Sequence, residues 1–258
     1  AFEGLSILSL LIQKKRIPAV IWIQTAITFV AFVILFMAPG NEMRVASEIT
    51  TWMPGYKELS VGKHLFMTIQ WMLSSFANEG KAFFIAIWAA GFLLLIKSKK
   101  AKVYQILAIV FSVAAILPYA GITFFSEMGI GDIDIEQCLT ELPTWQSMTT
   151  QNRIAFFWWI AAVLFTLVLL WKVTGHSVFI SMVFLGGIAS EAVLYFSPTI
   201  YASGARVYYL TDLMYLFIIL WMVMRMDSEK KKNLFIAGTA ALGVINFLSQ
   251  YSIMLLKL

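Results

Sequence analysis

Residues 154–171 read IAFFWWIAAVLFTLVLLW, an apolar run of 18 residues without a single charged side chain. A helix needs about 20 mostly apolar residues to cross the hydrocarbon core of a bilayer. The run therefore predicts a transmembrane helix. Further apolar runs of this kind predict six more spans, at residues 18–38, 82–96, 103–125, 177–196, 207–224 and 234–256.

The composition of the whole chain agrees with this reading. Hydrophobic residues make up 60% of the 258 positions and charged residues 13%, whereas soluble domains are about 45–50% apolar and about 25% charged. So few charges cannot cover so much apolar surface in water, but lipid removes that requirement. We predict an all-α, polytopic transmembrane helical bundle of about seven spans, forming one membrane domain over residues 1–258 with the lipid bilayer as its partner.

Basic residues predict the orientation of the bundle. Placing the loops 13–16, 97–102 and 225–232 in the cytoplasm, together with Lys172, puts 12 of the 19 basic residues inside. The inside loops are short, which is where the positive-inside rule holds. The acidic residues of the loop 126–152 fall outside. This predicts a multi-pass protein of a cytoplasmic (plasma) membrane, and the family resemblance given below implies a bacterial one.

Residues 64–77 carry apolar side chains at helical spacing and polar side chains on the opposite face. This pattern predicts an amphipathic helix lying on the outer membrane surface. The stretch from Lys63 to Lys97 would be about 51 Å long as one helix, which exceeds a straight span. We therefore expect a break near residues 78–80.

The sequence excludes several classes of site. The net charge of +5 comes from short basic runs between apolar segments, which argues against nucleic-acid binding. Cys138 is the only cysteine, so the chain forms no internal disulfide and no cysteine metal site. His64 and His176 lie in different loops, and we predict no metal site from them. No soluble-enzyme motif is present and no cofactor is predicted, although a divalent metal stays possible.

Ionisable residues within or beside predicted spans are the functional candidates, because placing them there is costly. The spacing predicts that six polar groups from four segments converge near the outer face: Arg44, Asn78, Glu79, Glu191, Arg206 and Asp212. One interpretation is an ion pair of Glu191 or Asp212 with Arg206 or Arg44 that fixes packing. The other is a water-filled cavity, in which the two arginines bind a phosphate and Glu191 or Asp212 is a base.

The beginning of the chain suggests a longer protein. It opens Ala-Phe-Glu-Gly without a signal peptide, and the apolar stretch 5–12 is too short to span. We expect it to be the end of a truncated helix, with part of the protein lying upstream. Glu3 would then lie near mid-membrane, about 16 Å from Lys14, facing a cavity or another helix.

Two motifs resemble a family of uncharacterised bacterial multi-pass membrane proteins, known as a domain of unknown function. The first comprises Glu3-Gly4, the Lys14-Lys15-Arg16-Ile17-Pro18 segment, a span and Ala38-Pro39-Gly40-Asn41-Glu42-Met43-Arg44. The second is Ser197-Pro198 followed by Arg206 and an apolar helix.

The layout is also similar to the GT-C class of membrane glycosyltransferases, which take sugars from polyprenyl-phosphate carriers at the outer face. This resemblance implies that the catalytic carboxylate lies in a first outside loop, upstream of residue 1. Arg44 and Arg206 would contact the phosphate of a polyprenyl-phosphate-linked sugar during cell-envelope glycan synthesis. The alternatives are a transporter or flippase for a lipid-linked anionic substrate and a non-catalytic assembly subunit.

Overall fold

The computed structural model describes residues 7, 10, 16–37, 41–120, 144–175, 178–199 and 208–256. Within these ranges the chain is helical and contains no strand. Its helices are α1 (Ala19–Phe36), α2 (Asn41–Trp52), α3 (Val61–Asn78), α4 (Lys81–Leu95), α5 (Lys102–Ile116), α6 (Thr150–Val173), α7 (Val178–Ala192), α8 (Tyr209–Met224) and α9 (Glu229–Leu256). The predicted all-helical class is confirmed.

Helix α4 is the centre of the bundle and contacts α3, α5, α6, α8 and α9. Its side chains Phe84, Ile87 and Trp88 are fully buried, and the Trp88 indole Nε1 donates a hydrogen bond to Thr166 Oγ1 of α6 over 2.8 Å. Gly91 lets α6 approach, since a Cβ there would lie 2.7 Å from Leu169 Cδ2. Apolar packing and one satisfied polar pair therefore hold α4 against α6.

The number of helices able to span a membrane is smaller than predicted. By length and composition, three helical segments of the described chain qualify: Lys99–Tyr119, Thr150–Val173 and Val178–Phe196. A fourth is added if the bent pair α3 and α4 is taken as one broken span. Helix α8, with 16 residues, is about 24 Å long, which is shorter than the hydrocarbon core of about 30 Å. The count of about seven spans is not supported.

The predicted break before α4 is present, since α3 and α4 meet at 68° between residues 78 and 81. The expectation that residues 64–77 lie on a surface is wrong for most of this helix. Residues 70–77 of α3 are buried on every face, the polar Ser74 and Ser75 included. The polar face of α3 is turned into the protein, where it meets α7.

Basic residues of two turns, those after α4 and after α8, lie together at one end of the bundle. A salt bridge of 3.0 Å from Lys97 Nζ to Asp227 Oδ2 joins the turn after α4 to the turn after α8. Asp212 lies 13 residues before Arg225 on α8, or about 20 Å away along the helix. The residues considered next are therefore at the opposite end from these basic turns. Of the segment 13–16, only Arg16 is described.

Candidate functional site

Glu191 is the most deeply buried carboxylate among the described residues, with 1% of its surface exposed. It lies in the last turn of α7, where Ser75 Oγ of α3 is 2.7 Å from its Oε2. The same Ser75 oxygen is 2.8 Å from the Met72 carbonyl oxygen. These contacts join two helices whose residues are 116 positions apart in the chain.

The Ser75 hydroxyl has only one proton to donate to these two acceptors. In one arrangement it donates to an ionised Glu191 and leaves the Met72 carbonyl without this bond. In the other it donates to Met72, and a protonated Glu191 donates to the Ser75 oxygen. The two arrangements differ by one proton on Glu191.

A hydroxyl network connects α7 to α8 beside Glu191. Thr211 Oγ1 donates to the Gly187 carbonyl over 3.1 Å and lies 2.9 Å from Ser190 Oγ. Ser190 Oγ also lies 2.7 Å from the Gly187 carbonyl oxygen. Gly187 is required because a Cβ there would lie 2.9 Å from Tyr215 Cε1. The start of α8, which carries Asp212, is therefore held close to α7.

Three carboxylates open into one small cavity, which we call the acidic pocket. Its walls are Ser75, Phe76, Glu79, Gly80, Glu191, Tyr208, Thr211, Asp212 and Tyr215. Its volume is about 10 Å³, at the lower limit for holding one water molecule. Glu79 is exposed, Asp212 is partly exposed and Glu191 is buried. The three carboxylates therefore lie at increasing depth below the protein surface.

Tyr215 contributes an unused hydrogen-bond donor to the acidic pocket. Only 1% of its surface is exposed, and its hydroxyl has no hydrogen-bond partner in the described part of the chain. A buried hydroxyl normally has a partner. Tyr215 therefore offers a donor to a water molecule or a ligand in the pocket. Tyr208 packs against Trp71 of α3, with ring centroids 5.1 Å apart and ring planes tilted by 33°, and closes one wall.

The charge of Lys81 acts on Glu79 of the acidic pocket, but no salt bridge of the described ranges reaches the pocket. The salt bridges of the described ranges involve Asp227, Glu229 and Glu48, and none reaches Glu79, Glu191 or Asp212. The nearest cation in sequence is Lys81, whose ammonium lies 4.4 Å from the centre of the Tyr119 ring.

The structure brings the predicted acids Glu79, Glu191 and Asp212 together in the acidic pocket and gives Arg44 a different partner. Asn78 is near the acidic pocket, donating from Nδ2 to Ser74 Oγ over 3.2 Å. Arg44 instead forms a 2.8 Å salt bridge with Glu48 on α2, with 76% of its side chain exposed. It lies one helical turn from an acid of its own helix, so it does not pair with Glu191 or Asp212. Glu3 and Arg206 lie outside the described residues.

Several residues of the acidic pocket were missed from the sequence. Tyr208 and Tyr215 lie four residues before and three residues after Asp212, and Thr211 lies three and four residues from the same two tyrosines. That periodicity was a usable signal. The sequence signal for Ser75 was weaker, because the polar face of α3, on which Ser75 lies, was expected to face the membrane surface.

Within the described ranges, no cluster of three or more His, Cys, Asp or Glu side chains is arranged to hold a metal ion. Comparison of the chain with models of protein families, with curated proteins and with solved structures found no match. The resemblance to GT-C glycosyltransferases therefore stays a prediction.

Proposed function

We propose that this chain is the membrane-embedded part of a GT-C-like glycosyltransferase that transfers a sugar from a polyprenyl-phosphate carrier during cell-envelope glycan synthesis. The distribution of side chains supports a membrane location. Large apolar residues such as Phe157, Leu220 and Phe247 are exposed, while Gln70 and Glu191 are buried. This is the arrangement expected where lipid is the outer solvent.

The acidic pocket is the observation that carries the proposal of an enzyme. The resemblance to GT-C enzymes implies a catalytic carboxylate upstream of residue 1, and we propose instead that Asp212 or Glu79, which are the less buried acids of the pocket, accepts the proton of an acceptor hydroxyl. That oxygen then forms a bond to the anomeric carbon, while the bond from this carbon to the phosphate oxygen breaks and the phosphate leaves. A positioned base contributes roughly 10²–10⁴-fold to such a step. The pocket itself holds no more than about one water molecule, and Tyr215 has a hydroxyl, unpartnered among the described residues, to donate to it.

We assign recognition of the carrier phosphate to Arg206 and Arg44, the two arginines that the sequence suggested. Arg206 precedes Tyr208, a wall of the acidic pocket, by two positions. A guanidinium there can hold a carrier phosphate by paired hydrogen bonds. Arg44, which is engaged by Glu48, is the weaker candidate. The basic turns at the opposite end would face the cytoplasm of a bacterial cell.

The test replaces Asp212→Asn and Glu79→Gln in the full-length protein, in cells that lack the native gene. Glu58→Gln is the matched control, because Glu58 is an exposed acid in a separate turn. Envelope glycans are measured by mass spectrometry and by incorporation of radiolabelled sugar. We expect at least about a hundredfold loss in one of the pocket variants and normal glycans in the control.

Arg206→Ala and Arg44→Ala extend the test to the phosphate. We expect Arg206→Ala to lose glycan transfer and to accumulate the lipid-linked donor. Unchanged glycans in all four variants would contradict the glycosyltransferase.

A transporter or flippase is the second candidate, and the 68° break between α3 and α4 favours it. Broken helices frequently form the binding sites of transporters, and Glu79 lies at this break. Liposomes carrying the purified protein and a fluorescent polyprenyl-phosphate sugar separate the two functions. Movement of the label across the bilayer without transfer to an acceptor would identify the transporter.

A further inference from the structure

Helix α9 leaves two apolar grooves beside the bundle. It packs mainly on α4, so one groove of about 390 Å³ separates it from α8 and another of about 320 Å³ separates it from α5. We call the first the α8–α9 groove and the second the α5–α9 groove.

The walls of the α8–α9 groove suit a hydrocarbon chain. Thr239 is its one wall residue with a polar side chain, and its hydroxyl donates to the Phe235 carbonyl over 2.9 Å. The outer walls are open, since Leu220 is 54% exposed and Ile236 is 55% exposed. A chain can therefore enter the groove from the side.

One stripe of α8 joins the α8–α9 groove to the acidic pocket. Leu216, Ile219 and Val223 line the groove, and their spacings of three and four residues place them on one face of the helix. Asp212, a wall of the acidic pocket, lies four residues before Leu216 and begins the same stripe. Its position is therefore about 6 Å beyond Leu216 along the helix, on the face that lines the groove.

A ring contact between two helices marks the same junction. Phe83 of α4 lines the α8–α9 groove, and Tyr215 of α8 lines the acidic pocket. Their ring centroids are 6.3 Å apart in an edge-to-face arrangement. The groove and the pocket therefore adjoin at this pair of rings.

The junction has the polarity of a lipid site. Asp212 lies in the first turn of α8, at the end opposite the basic turns. Val223, the last groove residue of α8, lies 11 residues later, or about 17 Å along the helix. An occupant with its head group at Asp212 therefore directs its hydrocarbon chain away from the end of the bundle. A membrane lipid has this orientation when its head group lies at the interface.

Charge complementarity selects the head group. The acidic pocket contains Asp212, Glu79 and Glu191, and the charges of Asp212 and Lys81 both act on Glu79. Among the described residues, acids thus outnumber bases here by three to one, and no salt bridge of those ranges reaches them. Carboxylates repel a phosphate and attract an ammonium group. The head group beside Asp212 is therefore a cation.

Size and hydrogen bonding narrow the choice to a primary ammonium. The acidic pocket, at about 10 Å³, just holds a group of the size of one water molecule. A primary ammonium meets this limit and a trimethylammonium exceeds it. The primary ammonium also has three N–H donors. Asp212 supplies one acceptor. Tyr215 supplies another, because its buried hydroxyl has no hydrogen-bond partner in the described ranges and the charge of Asp212 acts on it.

We propose that the acidic pocket and the α8–α9 groove together bind an aminolipid, a lipid whose head group ends in a primary ammonium. Asp212 and Tyr215 hold the ammonium, and one hydrocarbon chain lies in the groove. The site rests on the membrane location proposed above but not on glycosyl transfer, although Asp212 belongs to both. The bound chain fills the space between α8 and α9 and supports α9, which packs mainly on α4.

The experiment measures lipid retention on the purified full chain by native mass spectrometry. The probes are dioleoyl phosphatidylethanolamine, dioleoyl phosphatidylcholine, which has the same chains but no N–H donor, and ethanolamine as the head group alone. A hydrogen bond to a charged group changes binding about tenfold. We therefore expect Asp212→Asn to weaken phosphatidylethanolamine retention about tenfold and to remove its preference over phosphatidylcholine. Glu58→Gln removes an exposed acid from a separate turn and should leave both lipids unchanged.

Tyr215→Phe is a second head-group variant that removes only the hydroxyl. Because this hydroxyl has no hydrogen-bond partner in the described part of the chain, its loss should not lower the melting temperature of the lipid-free protein. It should weaken retention of phosphatidylethanolamine about tenfold and leave that of phosphatidylcholine unchanged.

Two glycine substitutions test the groove separately. A Cβ at Gly243 or Gly238 meets nothing within 4 Å, and leucine favours helix more than glycine does, so both variants should fold. Gly243 lines the α8–α9 groove, where a leucine displaces about two methylene groups of the lipid chain and should weaken retention of both lipids about tenfold. Gly238→Leu fills the α5–α9 groove, which has no carboxylate within one turn of its walls on α4 and α5, and should leave retention unchanged.

Equal retention of the two lipids by the wild type, or equal losses in Asp212→Asn and Glu58→Gln, would overturn the aminolipid site. Ethanolamine binding as tight as that of the lipid, or equal losses in the two glycine variants, would overturn the role of the groove. Extraction of the protein from membranes by alkaline carbonate would refute the membrane location and the lipid site with it. Normal envelope glycans in the pocket variants would refute glycosyl transfer alone, so these failures are distinguishable.

Discussion

Removing the Ser75 hydroxyl tests whether Glu191 is held as a buried charge. Ser75→Ala deletes the 2.7 Å contact to Glu191 Oε2. A hydrogen bond to a charged group contributes about 1.5–3 kcal/mol, against about 1 kcal/mol for a neutral pair. In a chain of this size, 1 kcal/mol shifts the melting temperature by about 2–4 °C. If Glu191 is ionised, we expect Tm to fall by about 6 °C.

Ser74→Ala is the matched control, because the neighbouring Ser74 is also buried but bonds only the neutral Asn78 amide. Its expected loss is about 3 °C. Glu191→Gln keeps the side-chain shape and removes the charge. In that background Ser75→Ala should cost only about 1 kcal/mol, which gives a coupling energy of roughly 1 kcal/mol between Ser75 and Glu191.

The assay is thermal unfolding of the purified protein, followed by intrinsic tryptophan fluorescence for the four combinations of Ser75 and Glu191 variants. Two results together would refute a charged Glu191. Ser75→Ala and Ser74→Ala would lower the melting temperature equally, and the effects of Ser75→Ala and Glu191→Gln would add in the double variant. The arrangement with a protonated Glu191 donating to Ser75 would then be the correct one.

Two further predictions concern packing and electrostatics elsewhere. Gly91→Ala should destabilise the protein by about 1–3 kcal/mol, because its Cβ would meet Leu169 Cδ2 at 2.7 Å. Gly238→Ala is the control, since its added Cβ meets nothing within 4 Å, and it should be neutral or stabilising. Equal melting curves for the two variants would contradict the close approach of α4 and α6 at Gly91. Hydrogen bonds from Lys231 and Lys97 lower the pKa of Asp227 to about 2. Its ion pairs should therefore persist as pH falls below the ordinary value near 4 and be lost around pH 2. A carboxyl NMR titration with a midpoint near 4, unchanged in Lys231→Ala, would contradict this.

The local features of the fold followed from the sequence because they depend on short-range patterns. The apolar run 154–171 became α6, and the excess length between Lys63 and Lys97 required the break that separates α3 from α4. The seven-span count was less secure, because apolar content does not determine where a helix ends. Helix α4 ends at Leu95 after 15 residues, too few to cross alone.

The site was only partly accessible by the same reasoning. Depth along a helix brought Glu191 and Asp212 to one end of the bundle. It also placed Arg44 near them, because depth specifies a position along the membrane normal and not the direction in the membrane plane. In the structure Arg44 remains on α2 with Glu48 as its partner.

The sequence by itself determined that the chain is helical, that its polar groups gather near helix ends and that basic turns share one end. These properties follow from composition and from periodicity along one helix. Only the tertiary structure decided that the polar face of α3 is turned inward and that Ser75 meets Glu191. Helical periodicity identifies the residues that share a face, but the partner of that face depends on how distant helices pack.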